Sequence, residues 1–550
     1  VGSGGVLAMI NTTVTGNSAG QSGGGIQNSG TLTVTDSTTS GNSAGTNGGG
    51  ILNGGTLTVA NGIVTENTAG SRGGGVLNQV SSTLTVRGST ITRNVADYGG
   101  GTSNLGTLAV IGSTISGNSA MSDGGGIFSN TNLLEATTTI TGSTISGNAA
   151  DAGGGVFNYA GRTVIEHSTM TVNTANEGDG VWSLGDDFTQ TEVRSSIIAG
   201  NTDNDDVHTD GASDFVSLGH NLIGGGNDSG AFAATGDQTG VTDPMLGALA
   251  DNGGATQTHA LLAGSPAINA GDPTFDDSLM PNDQRGTGFP RVVNLVDIGA
   301  IESLSGLVVD SLDGFSDGDF SVDNLSLREA LELTNTNPGA DTITFAAGLG
   351  QTINLNGTEL QIRDDVTIDG PGAAQLTIDA QGNSRVIRVR DGATVDISGV
   401  TLTGGTSGTG GGGVALDPSV DVTLTQVTIA NNTAANNGGG ILNNQGTLTF
   451  IDSTLSGNSA GNAGGGIFSN TTLDGTQTTT IRSSTISGNS AGGSGGGVIN
   501  ADGLTVVAHS TITHNDAVSE GDGIMSIGNL STTRTEVLSS IIAGNLGGQD

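Results

Sequence analysis

The chain has 550 residues, 99 of them glycine, with 12% charged and 3% aromatic residues and a net charge of −38. All fourteen basic residues are arginine, so the basic footprint of a nucleic-acid-binding surface is absent. With no cysteine, disulfides, thiolate-held zinc and cysteine nucleophiles are excluded, and no apolar run reaches the ~18 residues of a membrane helix.

The first element in chain order is a repeat. Glycine triplets begin at Gly23, Gly48, Gly73, Gly99, Gly124 and Gly153, followed by Gly178-Asp179-Gly180, spaced 25 to 29 residues apart. Each unit reads GGG-I-x-N, then G-T-L-T-V, then S-T-I-S-G-N, which is three short strands joined by Asn/Gly turns. Leu32 and Val34, Leu57 and Val59, and Leu84 and Val86 face one way, with threonines between them facing the other. A unit this short closes no core alone, whereas stacked units bury a continuous one. Equivalent strands then run parallel, with right-handed crossovers. The pattern predicts an all-β fold over 1–206, a right-handed three-sided parallel β-helix, or solenoid. Ile26, Ile51, Val76, Ile127 and Val156 are expected to stack inward, as are Ile91, Ile115 and Ile145. Asn42, Asn67, Asn94, Asn118 and Asn148 are expected to align at one corner, and Asn28, Asn53, Asn78, Asn104, Asn130 and Asn158 at another. Asparagine tolerates the left-handed turn, and its amide can bond to the copies above and below. A structural ladder is preferred to the alternative, a ligand groove.

The regular pattern fades after Asn201. Over 207–303 the motifs DPMLGALADNGG, THALLAGSPAINAGD, DQRG and DIGAIE follow in order. This stretch resembles the choice-of-anchor Q module of bacterial surface proteins. The resemblance implies a module that ends a β-helix in exported, surface-anchored proteins. Within 304–346, SLREAL and PGADTITF resemble the CSLREA module of the same class, with Leu325 where that family has cysteine. From the residues alone, Ser326-x-x-Glu329 is a capping box, and Leu327, Ala330, Leu331 and Thr334 form one helical face that a Pro-containing stretch, Asn335–Gly339, stops. One short helix therefore caps a second β-helix over 347–550. There the triplets resume at Gly411, Gly438, Gly464 and Gly495, and Asn458 and Asn489 extend the corner row. These coils resemble polymorphic outer membrane protein repeats.

A longer period encloses the short one. Ser113–Asn130 returns at Ser453–Asn470 with fourteen of eighteen positions identical. EGDGVWSLG at 177–185 returns as EGDGIMSIG at 520–528, and SSIIAGN at 195–201 returns at 539–545, offsets of 343 and 344. The opening VGSGGVLAMI lacks the charged start of a signal peptide, and the chain begins and ends within repeats, which reads as part of a longer tandem array.

Chemistry is sparse. A hydrolase needs converging carboxylates, and a lyase of this fold needs a basic residue beside calcium-binding acids. In the coils the acids Asp36, Glu66, Asp97, Asp123 and Asp151 are scattered, Arg72, Arg87 and Arg93 lack carboxylates nearby in sequence, and an aromatic sugar platform is missing. No catalytic residue is assigned. His167 and His509 occupy equivalent coil positions, and neither they nor His208, His220 and His259 have a zinc-like spacing. Two acidic runs, Asp203, Asp205, Asp206 and Asp210, and Asp313, Asp317, Asp319 and Asp323, could take calcium, the one cofactor considered, against a reading as plain turn residues. The sequence thus predicts a non-enzymatic, extracellular cell-surface fibre or stalk of tandem units of about 344 residues, self-associating into a fibre or array. The alternative is an adhesin binding glycans or other cells through a β-helix face, and the third reading is a polysaccharide lyase or hydrolase.

Overall fold

A computed structural model describes residues 1–131, 136–184, 189–211, 214–337, 339–471, 477–528 and 533–547. They form two compact units, Val1–Ser303 and Leu304–Asp550, each built on a parallel β-helix. A representative coil holds the strands Thr31–Thr35, Thr38–Ser40, Ser43–Ala44 and Ile51–Asn53. Three of these form the main sides. The two-residue Ser43–Ala44 is a narrow strip at the corner before the third side, not evident from the sequence pattern. Each strand pairs in parallel with its equivalent one coil along, as Leu32 with Leu57 and Val34 with Val59.

Inside, Ile51, Val76, Ile91, Ile115, Ile127, Ile145 and Val156 are fully or nearly fully buried in one continuous core. Burying each such side chain contributes roughly 1.5–3 kcal/mol. The corners need backbone that most residues resist. Residues 11, 36, 61, 88, 112, 142, 167 and 195 all turn left-handed at one corner, with φ between 45° and 54°. At the next corner the left-handed residues are Gly41, Glu66, Arg93, Gly117 and Gly147, each just before a ladder asparagine. The asparagines are therefore not the left-handed residues, which frees their amides for stacking. In the triplet at 48–50, Gly48 supplies φ 62°, while a Cβ on Gly49 would lie 2.4 Å from the Thr68 carbonyl oxygen. The first glycine bends the chain and the second lets adjacent coils touch.

The corner row is a hydrogen-bonded ladder. Asn42 Nδ2 donates to Asn67 Oδ1 at 2.9 Å, and the same link joins Asn67, Asn94, Asn118, Asn148, Asn173 and Asn201. Each Oδ1 also accepts the backbone N–H of the preceding asparagine. In the second unit the links run through Asn432, Asn458, Asn489, Asn515 and Asn545. The other row, Asn28, Asn53, Asn78 and Asn104, is linked at 2.8 Å per step. It then departs from expectation: Ser129, not Asn130, stands opposite Asn104 and Asn158. The motif here reads GGGIFSN, one residue longer than GGGVFN at 153–158, so its asparagine falls one place late, and Thr138 Oγ1 takes up the Asn104 amide at 2.9 Å. A serine ladder runs beside these: the Ser89, Ser113 and Ser143 backbone N–H groups donate to the hydroxyls of Ser113, Ser143 and Ser168 at 3.1–3.2 Å.

Parallel pairing continues past residue 206, with Val181 opposite Val207 and Ile197 opposite Leu222. The chain from about 241 to 303 then folds back along the outer face of the second side. Gln284 Nε2 donates to the Ser113 carbonyl and Thr114 Oγ1, His259 Nε2 meets Ser146 Oγ at 2.8 Å, and Ala300 N donates to Thr169 Oγ1. In the second unit Ser305–Val309 pairs with Asp341–Phe345, which pairs with Val366–Asp369, so the capping stretch is continuous with the solenoid. Helix α1 (Leu327–Thr334) carries the full capping box of Ser326 and Glu329 and packs against Ser305–Val309 and Leu360–Ile362. Pro338, expected to stop it, lies outside the described residues.

Asn118→Ala would strand the buried Asn94 backbone N–H, whereas the Asn94 amide keeps the Val64 and Thr92 carbonyls. The expected loss is about 1–3 kcal/mol, read as a lower denaturant midpoint; an unchanged midpoint would show that the ladder adds nothing to stability.

Candidate functional site

The first acidic run is split by the fold. Asp206 is buried and ends the asparagine ladder: its Oδ1 accepts from Asn201 Nδ2 at 2.7 Å and its Oδ2 from the Gly225 N–H at 2.9 Å. A carboxylate suits that place because it only accepts. Burial raises its pKa. Asp237 ends the serine row in the same way, accepting from Asn221 N and Nδ2 at 3.0 Å. Asp203 is exposed in a short turn with φ 57°. Asp205 and Asp210 instead flank His208.

That histidine is the centre of the one group, among the described residues, in which three His, Asp or Glu side chains bring ligand atoms within 4.8 Å of one another: Glu177, His208 and Asp210. His208 Nε2 is 4.0 Å from Glu177 Oε2 and 3.8 Å from Asp210 Oδ1. Its Nδ1 is 2.9 Å from Asp205 Oδ2, which also accepts the Gly178 N–H at 2.8 Å. A carboxylate on Nδ1 holds the proton there and turns the Nε2 lone pair toward the other two acids, the outer-shell arrangement of histidine ligands. One imidazole with two carboxylates suits zinc or a similar cation better than calcium. The sequence spacing hid this trio because 177 and 208 become neighbours only when one coil stacks on the next.

The second run stays local. Asp317 Oδ1 accepts the Asp319 N–H at 3.0 Å, Asp319 Oδ1 accepts from Ser321 N and Oγ, and Asp313 Oδ2 accepts from Ser311 Oγ. Asp323 is left-handed, φ 69°, and its N–H donates to Asp310.

Stacking brings together two further sets of residues that lie far apart in sequence. Arg93 does have a carboxylate beside it, Glu66 one coil away at 3.1 Å, although both are exposed and the pair contributes little. Aromatic residues do line up: Phe128, Phe157, Trp182 and His208 are in register along the third side, with ring centroids 5.0–5.8 Å apart. Arg72 lies over Tyr98 and Phe128. Phe128, Phe157 and Trp182 are only 2%, 4% and 9% exposed, so the row is closed on itself and is not an open sugar platform.

The charged motifs of the fold-back segment form a lock. Asp283 and Arg285 pair at 2.7 Å, both buried, and Arg285 Nη2 donates to the Glu302 carbonyl. Glu302 accepts the Val293 and Asp297 N–H groups, and Asp297 accepts those of Asn269 and Ser303. Arg291 Nη2 donates to His167 Nδ1 at 3.1 Å, tying the segment to the coil. Burial raises Glu302 well above the carboxylate range and Asp297 to about 7. Burial, with Arg291 and Arg194 nearby, holds His167 down at about 2.

The fold is that of a parallel β-helix protein. No family model and no curated protein matches the chain. Among solved structures, the PL6 family alginate lyase AlyGC and a mutant of it match across 99% of this chain and 98% of theirs, at 10% identity and TM-scores of 0.22 and 0.23. A likeness that low carries no argument about activity.

Two outcomes are expected. Zinc at a hundredfold excess over its Kd should stabilise the chain by about 2.7 kcal/mol, and His208→Ala should remove that gain; melting indifferent to zinc would leave the trio a plain surface cluster. A buried neutral histidine costs stability as pH falls below about 6.5, by up to ~1.4 kcal/mol per unit. Asp297 acts oppositely, adding stability as pH falls from about 7, and Glu302, raised by burial, acts in the same sense. His167→Asn, a residue that Asn61 shows the corner accepts, isolates the histidine: its advantage over the parent should appear only below pH 6.5.

Proposed function

We propose that the chain is part of an extracellular, cell-surface stalk or fibre assembled from tandem β-helical units of about 344 residues, with a structural and not a catalytic role. The observation that carries this reading is the near-identity of SSIIAGN, EGDG and STxSGNSA stretches one long period apart. A protein that lengthens by duplicating a whole solenoid unit gains reach without any new site. The construction of the units supports it. Each carries its own asparagine ladder, and the outward strand positions are mainly threonine and serine. Such a ladder is satisfied by adding coils and presents nothing reactive. The surface location rests on the resemblance of 207–303 and 304–346 to choice-of-anchor Q and CSLREA modules, and the net charge of −38 suits an exposed, soluble surface. Among the described residues no helix is long and apolar enough to cross a membrane. Calcium or another divalent cation at the acidic residues after the first solenoid would stiffen that region without altering the role.

Electron microscopy of the native protein tests the reading. Rods or filaments with an axial repeat of one unit, or two, are expected; isolated short particles under all conditions would overturn it.

A further inference from the structure

The chain is strongly acidic, yet five of its fourteen arginines, Arg328, Arg363, Arg385, Arg388 and Arg390, fall within 63 residues of the second unit. Three of them line a trough beside helix α1. Its first part, a cavity of about 470 Å³, is bounded by Arg328, Glu332, Asn335 and Arg363. The second part, about 390 Å³, shares Glu359 and Gln361 with the first and reaches Ser384, Arg385 and Ser407. Both volumes lie within the range of small-molecule sites.

The floor is held rigidly. Arg328 donates to the carbonyls of Gly314 at 2.8 Å, Thr358 at 2.7 Å and Glu359 at 3.1 Å. Arg385 donates to the carbonyls of Gly411 and Gly410 and to Glu359 Oε2. These cations are partly buried and preorganised, whereas Arg363 and Glu332 are exposed at the rim. Arg363 Nη2 donates to Gln361 Oε1 at 2.6 Å, and its backbone N–H to Asn335 Oδ1 at 2.7 Å.

The lining decides the ligand class. An apolar ligand would take the exposed charges of Arg363 and Glu332 out of water without pairing them, which is costly. A dense polyanion is opposed by Glu332 and Glu359. A polyhydroxylated ring satisfies both kinds of group, because its hydroxyls donate to carboxylates and accept from guanidinium. A carboxylate on that ring adds a charge-assisted bond to the exposed arginine. We propose that this trough binds a short saccharide bearing a carboxylate, a uronate-type oligosaccharide, with its carboxylate at Arg363. The proposal goes beyond the stalk reading and does not depend on it.

Isothermal titration of the whole chain with galacturonate trisaccharide and with the neutral galactose trisaccharide tests it. The acidic sugar should bind, and the neutral one at least tenfold more weakly. Arg363→Ala should weaken the acidic sugar at least tenfold, and Glu332→Gln should tighten it by removing like charge. Both side chains are exposed, so melting should be unaltered. Binding of neither sugar, equal binding of both, or an affinity untouched by Arg363→Ala would overturn the proposal.

Discussion

Everything in this molecule depends on one coil being held in register over the next. The main-chain ladder does most of this, but the corners are where it would fail, because the strands there are two or three residues long. The asparagine at each corner closes that gap. In the Asn42 row the Oδ1 accepts two N–H donors from the preceding coil and the amide donates to both neighbouring coils, so a buried polar group is satisfied on every side. A buried polar network that complete specifies register, since a slip of one residue would leave donors unpaired at every corner. The row also needs an end. Asp206, which accepts and does not donate, provides it, as Asp237 does for the serine row.

The same logic explains why charged motifs that look reactive are structural. Asp283, Arg285, Asp297 and Glu302 spend their hydrogen bonds on backbone groups and on each other, and Arg291 ties the segment to His167, closing an irregular segment that has little regular ladder of its own. Gln284, between two of them, reaches the coil. Among the described residues, groups left open to a ligand include the trio around His208, which one coil's edge shares with the next, and the exposed Arg363 and Glu332 at the rim of the trough beside α1.

Much of this was legible beforehand, and the misses have a common cause. Periodicity in leucine, valine and isoleucine reports which residues face inward, because alternation along a strand is a local property. The capping box at Ser326 is equally local, and the helix forms where its residues place it. Contacts between coils are not local. Glu66 meets Arg93 and Glu177 meets His208 across 27 and 31 positions, set by coil length and loop content. A single extra residue in Ile127–Asn130 moves the ladder position from Asn130 to Ser129. The aromatic row was missed for the same reason: its members are a coil apart and look isolated in the chain.

Ser113–Asn130 and Ser453–Asn470 show where the division falls. Their shared residues determined the coil: the glycines that bend it, the isoleucines and leucine that fill it, and the asparagine that joins it to the next. Those are short-range requirements, and both copies meet them. Tertiary structure alone decided what the outer face does. Thr114 and Ser116 are buried beneath a segment well over a hundred residues further on, while Thr454 and Ser456 in the second unit remain half-exposed. Nothing in either copy encodes that difference, because burial on the outside of a solenoid is set by what docks there and not by the strand itself.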